Sequence, residues 1–222
     1  LLKIFNKDDF FICNVNTLKY WMRIIDWVST ADKTYETFRE YLKLVDLSTS
    51  YFSNQDADNK KRVKSFERIC FLLYSGSKDM YARELKTLLP KISGILKSSE
   101  TAHPALLILI LFSIRILIMR LSEKNLSELF TDIWPMIMTL LIQLFSRKLV
   151  KVVMSNEISK NPNLLLAALK LIEMMSITKL IQFSNNQWIF IHDYFGVQMK
   201  VGDNNIELIE YLSERPERTN VI

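Results

Sequence analysis

Glycine is nearly missing from this chain, with four among 222 residues. Proline follows with five, and cysteine and histidine have two each. So few turn-forming residues exclude most sandwiches and barrels, which need turns at short, regular spacing. The glycines, Gly76, Gly94, Gly196 and Gly202, stand too far apart to form a phosphate-cradling loop. Cys13 and Cys70 sit among apolar neighbours and read as reduced, buried thiols of a cytosolic setting, with no disulfide framework. Metal binding asks for clustered His, Cys or carboxylates, and His103 and His192 are isolated. His192-Asp193 imitates part of a triad, but no nucleophile stands in a strained turn beside it. The chain therefore reads as non-enzymatic, without cofactor or metal.

A membrane-spanning run is also lacking. Ala105 to Met119 is almost wholly apolar but has about 15 residues, short of the roughly 20 that cross a bilayer. Arg115 interrupts it and is expected to snorkel or meet a carboxylate. Pro104 marks a helix start, so a helix buried between neighbours is expected here. No signal peptide is visible. Leu1-Leu2-Lys3-Ile4-Phe5 resembles the tail of an earlier helix, and a C-terminal piece of something longer is expected.

What is present is helical. Apolar residues make up 49 % of the chain, and the net charge is +5. A cassette recurs about 45 residues apart. One copy opens Glu84-Leu85-Lys86-Thr87-Leu88-Leu89-Pro90-Lys91-Ile92; the other opens Glu128-Leu129-Phe130-Thr131-Asp132-Ile133-Trp134-Pro135-Met136-Ile137. Ile95 and Leu96 extend the first, and Leu140, Leu141 and Leu144 the second. A denser apolar helix follows each, at Ala105–Met119 and Leu164–Met175. Two helices per unit at this period point to an all-α, HEAT- or armadillo-like solenoid of stacked antiparallel pairs.

Further elements follow from spacing. Asn16 or Thr17 is expected to cap a helix carrying Leu18, Trp21, Met22, Ile25 and Val28. Thr34 opens another, with Phe38, Tyr41, Leu42 and Val45 on one face. Ser48 to Asn59 reads as a loop, and Lys60 to Tyr74 as a helix with Val63, Phe66, Ile69, Cys70 and Leu73 inward. Ser75-Gly76-Ser77 ends it. Ser122 to Asn125 reads as a turn, and Ser146 to Asn161 as a basic insertion. The helical-repeat region spans 1–195. Residues 196–222 hold a turn or strand-like stretch, a terminal amphipathic helix over Asn204–Ser213, and a frayed tail.

Two basic clusters and one aromatic segment are the candidate contact residues. Lys60, Lys61, Arg62 and Lys64 crowd a helix start, against the helix dipole. Arg147, Lys148 and Lys151 lie in the insertion. Both clusters suit anionic lipid headgroups or an acidic partner, or are solvated helix faces. Aromatics do not interleave with them as single-stranded nucleic acid requires. Trp188, Phe190 and Tyr194 either dock a partner or cap the solenoid core. Self-association through a terminal helix face stays open.

The order of several motifs resembles the C-terminal region of the Dopey family. They are Phe10-Phe11 before Trp21, Thr34 to Glu40, Arg68 to Ser75, Arg115 to Ser122 with Asn125-Leu126, Trp134-Pro135, Gln143 to Phe145, Ala168 to Glu173, Phe183, and Gln187 to Phe190. The loop after Phe145 is shorter than in the family, and the tail after Phe195 has no counterpart. The resemblance implies a non-enzymatic scaffold of endosome-to-Golgi trafficking, cytosolic and peripheral on those membranes. It further implies as partners a large scaffold related to Arf exchange factors, a P4-type lipid flippase and a phosphoinositide-bearing membrane surface, together with a homodimer. A generic HEAT or armadillo interaction module of another pathway is the second reading of the same residues.

Overall fold

The computed structural model describes residues 2–32, 34–45, 55–145, 161–178, 180–187, 198–201 and 204–207. A short helix α1 (Leu2–Phe5) and a 3-10 turn at Phe10–Ile12 lead into α2 (Val15–Ala31). Asn14, rather than Asn16 or Thr17, caps α2: its side-chain oxygen accepts the Thr17 N–H at 2.9 Å. Helix α3 is Glu36–Val45. Ahead of it the Asp32 carboxylate accepts the Thr34 N–H at 3.2 Å, the Thr34 hydroxyl at 2.7 Å and the Thr37 N–H at 3.3 Å. Thr34 is thus a donor to the cap.

Helix α4 is Gln55–Ser75 and begins inside the expected loop. Asp56 and Asp58 in its first turn complement the positive helix end, which offsets the polar composition there. Phe66, Ile69, Cys70 and Leu73 are buried, as the spacing predicts. The helix stops at Ser75, before Gly76. A Cβ at Gly76 would lie 2.9 Å from Tyr81 Cε2 and 3.0 Å from Met80 Sδ, so only glycine fits this close approach.

A 3-10 turn at Ala82–Glu84 precedes α5 (Leu85–Lys97). Then come α6 (Pro104–Arg120), α7 (Glu123–Phe145), α8 (Pro162–Ile177) and α9 (Ile181–Ser184). The expected turn at Ser122–Asn125 shrinks to Ser122, because α7 starts at Glu123. The corner is fixed from outside. Asp79, at φ 60°, gives its N–H to the Arg120 carbonyl at 2.9 Å. Its carboxylate accepts the Ser122 N–H at 2.7 Å and the Asn125 amide at 2.8 Å.

Two rows of packing emerge. Helix α6 packs against α4 on one side and α8 on the other. Helix α5 packs mainly against α7, with a smaller contact to α3, and α3 packs on α4. The recurring cassette occupies equivalent positions in neighbouring helices. Leu88, Ile92, Ile95 and Leu96 of α5 are buried, and so are Ile133, Ile137, Leu140 and Leu141 of α7, about 45 residues on. Pro90 and Pro135 both sit inside their helices, on the exposed side.

Helix α6 is buried on most of its circumference, with Leu107, Ile110, Leu111, Ile114 and Ile116 at 0 % exposure. Arg115 is half-buried, its guanidinium 6.0 Å from the Phe112 ring centre, and its Nε is buried with no hydrogen-bond partner among the described residues. No helix among the described residues is long and apolar enough to cross a membrane.

The N-terminal segment docks through rings. Phe5, Phe10 and Phe11 pack with Phe71 of α4, and Trp21 packs on Phe10, in mostly edge-to-face pairs, Phe5 and Phe10 at 5.0 Å. Near the C-terminus β1 (Gln198–Val201) pairs antiparallel with β2 (Asn204–Glu207). This bears on the expected helix over 204–213: its first four residues are a strand, and the rest lies outside the described residues. Backbone pairing with the strand-like stretch replaces the helical pattern there. The insertion at 146–160 and the aromatic residues 188–195 also lie outside them.

Candidate interaction surface

The basic cluster of α4 divides into residues that hold the fold and residues that face solvent. Lys60 and Lys61 are exposed. Arg62 donates from Nε to the Val45 carbonyl at 3.0 Å, covering a carbonyl at the end of α3. Lys64 reaches Asp8 at 2.7 Å, and this hydrogen-bonded ammonium holds the Asp8 carboxyl below its ordinary value. Arg68, one turn further, is only 3 % exposed. It donates to the Lys7 carbonyl at 2.7 Å, meets Glu67 at 3.2 Å and lies 4.9 Å from the Phe11 ring centre. Burial nevertheless pushes the Glu67 carboxyl up, against the pull of Arg68 and Lys64.

Side chains that sequence reasoning missed complete the surface. Arg62 forms one wall of a groove whose opposite wall is α5, contributing Lys86, Thr87, Pro90, Lys91 and Gly94. The cavity volume is about 490 Å³. Its described lining holds three cations and no carboxylate. A signal existed: Lys86, Pro90 and Gly94 recur at four-residue spacing, so they share one face of a helix. The neighbouring cation on α4 belongs to another element and carries no such spacing.

The remaining candidates are Arg147, Lys148 and Lys151, with Trp188, Phe190 and Tyr194, and they lie outside the described residues. The described residues contain no group of His, Cys, Asp or Glu fit to hold a metal. Cys70 is buried, its thiol directed at the Leu109 carbonyl at 3.7 Å, and burial pushes that thiol far above its ordinary value. Tyr81, stacked on Phe38 at 4.5 Å, is pushed up to about 12 by burial. Both act as packing groups.

A family model described as DOP1 C-terminal matches residues 1–221. The Protein DOP1 homolog of Drosophila melanogaster is 24 % identical over 149 residues, 65 % of this chain and 6 % of that protein. Protein pad-1 of Caenorhabditis elegans is 24 % identical over 142 residues, 62 % of this chain and 6 % of its own length. Protein DOP1B of Mus musculus is 26 % identical over 145 residues, again 65 % and 6 %. The matched stretch is thus a small fraction of each curated relative. Neither the family description nor these names denotes an enzyme. No solved structure matches the chain.

Proposed function

Because the chain belongs to the DOP1, or Dopey, C-terminal family, we propose that it is a non-catalytic scaffold of membrane trafficking between endosomes and the Golgi. The family match across residues 1–221 carries this reading. The packing supports it. Helices in successive rows, with one buried pattern repeated in α5 and α7, fit a HEAT-like solenoid that exposes a long side wall. Such a wall holds partners by surface contact and needs no reactive pocket.

The partners proposed are those the resemblance implies: a large scaffold related to Arf exchange factors, a P4-type lipid flippase, and a second copy of the chain. The location is cytosolic and peripheral on Golgi and endosomal membranes. Lys60 and Lys61 are the α4 cations proposed to meet a phosphoinositide-bearing membrane surface, because among the described residues neither makes an ion pair. Lys64 is paired with Asp8, and Arg62 is tied through Nε to the Val45 carbonyl beside α5. Arg147, Lys148 and Lys151 are proposed to add to the same attraction, worth about 1 kcal/mol per cation at an acidic surface. Trp188, Phe190 and Tyr194 are proposed as partner anchors.

Two measurements test this. In vesicle flotation, the chain rises with phosphoinositide-containing vesicles more than with neutral ones, and Lys60→Glu with Lys61→Glu lowers the floated fraction. An unchanged fraction removes the membrane role of α4. Proximity labelling from the full-length protein in cells recovers Golgi and endosomal proteins. Recovery of neither class refutes the trafficking role.

A further inference from the structure

The groove between α4 and α5 has a chemistry of its own. Its described lining combines the Arg62 guanidinium, the Lys86 and Lys91 ammonium groups and the Thr87 hydroxyl, with apolar surface from Pro90 and Gly94 between them. Arg62 is already oriented, because its Nε is tied to the Val45 carbonyl, a bond that does not use the two terminal guanidinium nitrogens. Pro90 has no N–H, so the Lys86 carbonyl one turn earlier receives no helical bond from it. This carbonyl belongs to the same face as Pro90 and Gly94. Gly94 leaves a gap: a Cβ there would meet nothing within 4 Å. The result is a trough along α5 with cations at its edges and a carbonyl lacking its helical partner. Its volume of about 490 Å³ lies in the range of ligand clefts, about 300–1,000 Å³.

We infer that this trough binds an acidic peptide segment of a protein partner in extended conformation. The carboxylates of such a segment answer Arg62 and Lys86, its backbone N–H groups answer the Lys86 carbonyl, and its main chain fits the space that Gly94 leaves open. A bilayer is a poorer match. A phosphate group carries no row of main-chain N–H groups to meet the Lys86 carbonyl along the helix, whereas an extended peptide supplies both carboxylates and N–H donors at regular spacing. The inference does not rest on the membrane reading, since it concerns a different face chemistry and a different readout.

The test begins with a displayed random-peptide library selected on the 222-residue chain. The best peptide is then synthesised, labelled and titrated by fluorescence anisotropy. The selected peptides carry Asp or Glu, and their binding weakens as salt rises. Lys86→Glu weakens it about tenfold or more through charge reversal. Gly94→Leu abolishes it by filling the trough, while its melting temperature stays at or above that of the parent, since the added side chain meets open space. Lys60→Glu leaves it unchanged. The inference is overturned by selected peptides without carboxylates, by failure to select any, or by affinity that survives both Lys86→Glu and Gly94→Leu. It is equally overturned if vesicle binding, and not peptide binding, responds to Gly94→Leu.

Discussion

Arg68 and Asp79 show how single side chains decide what the helices can do. Arg68 heads no exposed cluster; its guanidinium fastens the N-terminal segment to α4 through the Lys7 carbonyl and the Phe11 ring. Arg68→Ala should cost about 2–4 kcal/mol, because a charge-assisted bond and a ring contact vanish together. Urea unfolding measures this, and a loss below half a unit of that scale would mean the segment is held by its rings alone. Asp79 ties the turn before α5 to the α6–α7 corner. The Ser122 N–H and the Asn125 amide hold its carboxyl below the ordinary 3.8. The unfolded chain therefore takes up this proton more readily than the folded one, and acid favours unfolding. The stabilisation is complete above the unfolded value near 3.8 and is lost as pH falls through the lower folded value. Unfolding free energies measured from about pH 6 down to pH 3 should fall less steeply in Asp79→Asn than in the parent. Parallel curves would show that the carboxylate contributes nothing to the corner.

At the scale of the element, the two described glycines make opposite predictions. Gly94 is inside α5 with open space around it, so Gly94→Ala should stabilise by about 0.5–1 kcal/mol from helix propensity. Gly76 lies against the Tyr81 ring, itself stacked on Phe38, so Gly76→Ala should destabilise by about 1–2 kcal/mol. Thermal melts that shift both variants in one direction would contradict this account. Legibility at this scale was uneven for a physical reason. The apolar spacing of α4, α5, α6 and α8 was plain because burial on one side imposes a period on the chain. Helix starts were less plain. Asn14 and Asp32 cap from outside the periodic stretch, and Asp56 with Asp58 begins α4 where polarity alone suggested a loop. The strand at Asn204–Glu207 owes its form to its partner, Gln198–Val201: a strand-like stretch was legible there, but the pairing that draws Asn204–Glu207 into a strand leaves no local pattern.

Across the whole molecule, burial is greatest where helices have neighbours on both sides. Helix α6 stands between α4 and α8, and most of its apolar residues are enclosed, with Phe112 and Met119 left exposed. Its amides should exchange with solvent more slowly than those of α2, where Tyr20 and Trp27 remain 66 % and 70 % exposed. Hydrogen-exchange mass spectrometry reads this directly, and equal protection of α2 and α6 would argue against successive packing. The scarcity of glycine and the repeated cassette determined, by themselves, that the chain is mainly helical and that α5 and α7 bury one shared pattern of apolar positions. They could do so because period and composition are properties of one segment at a time. Only the tertiary structure decided which cations stay in solvent, that Arg68 turns inward, and that Lys86 and Gly94 meet Arg62 across a trough. Those outcomes depend on how one helix is rotated and shifted against the next, and contacts between distant segments leave no spacing in the chain to read.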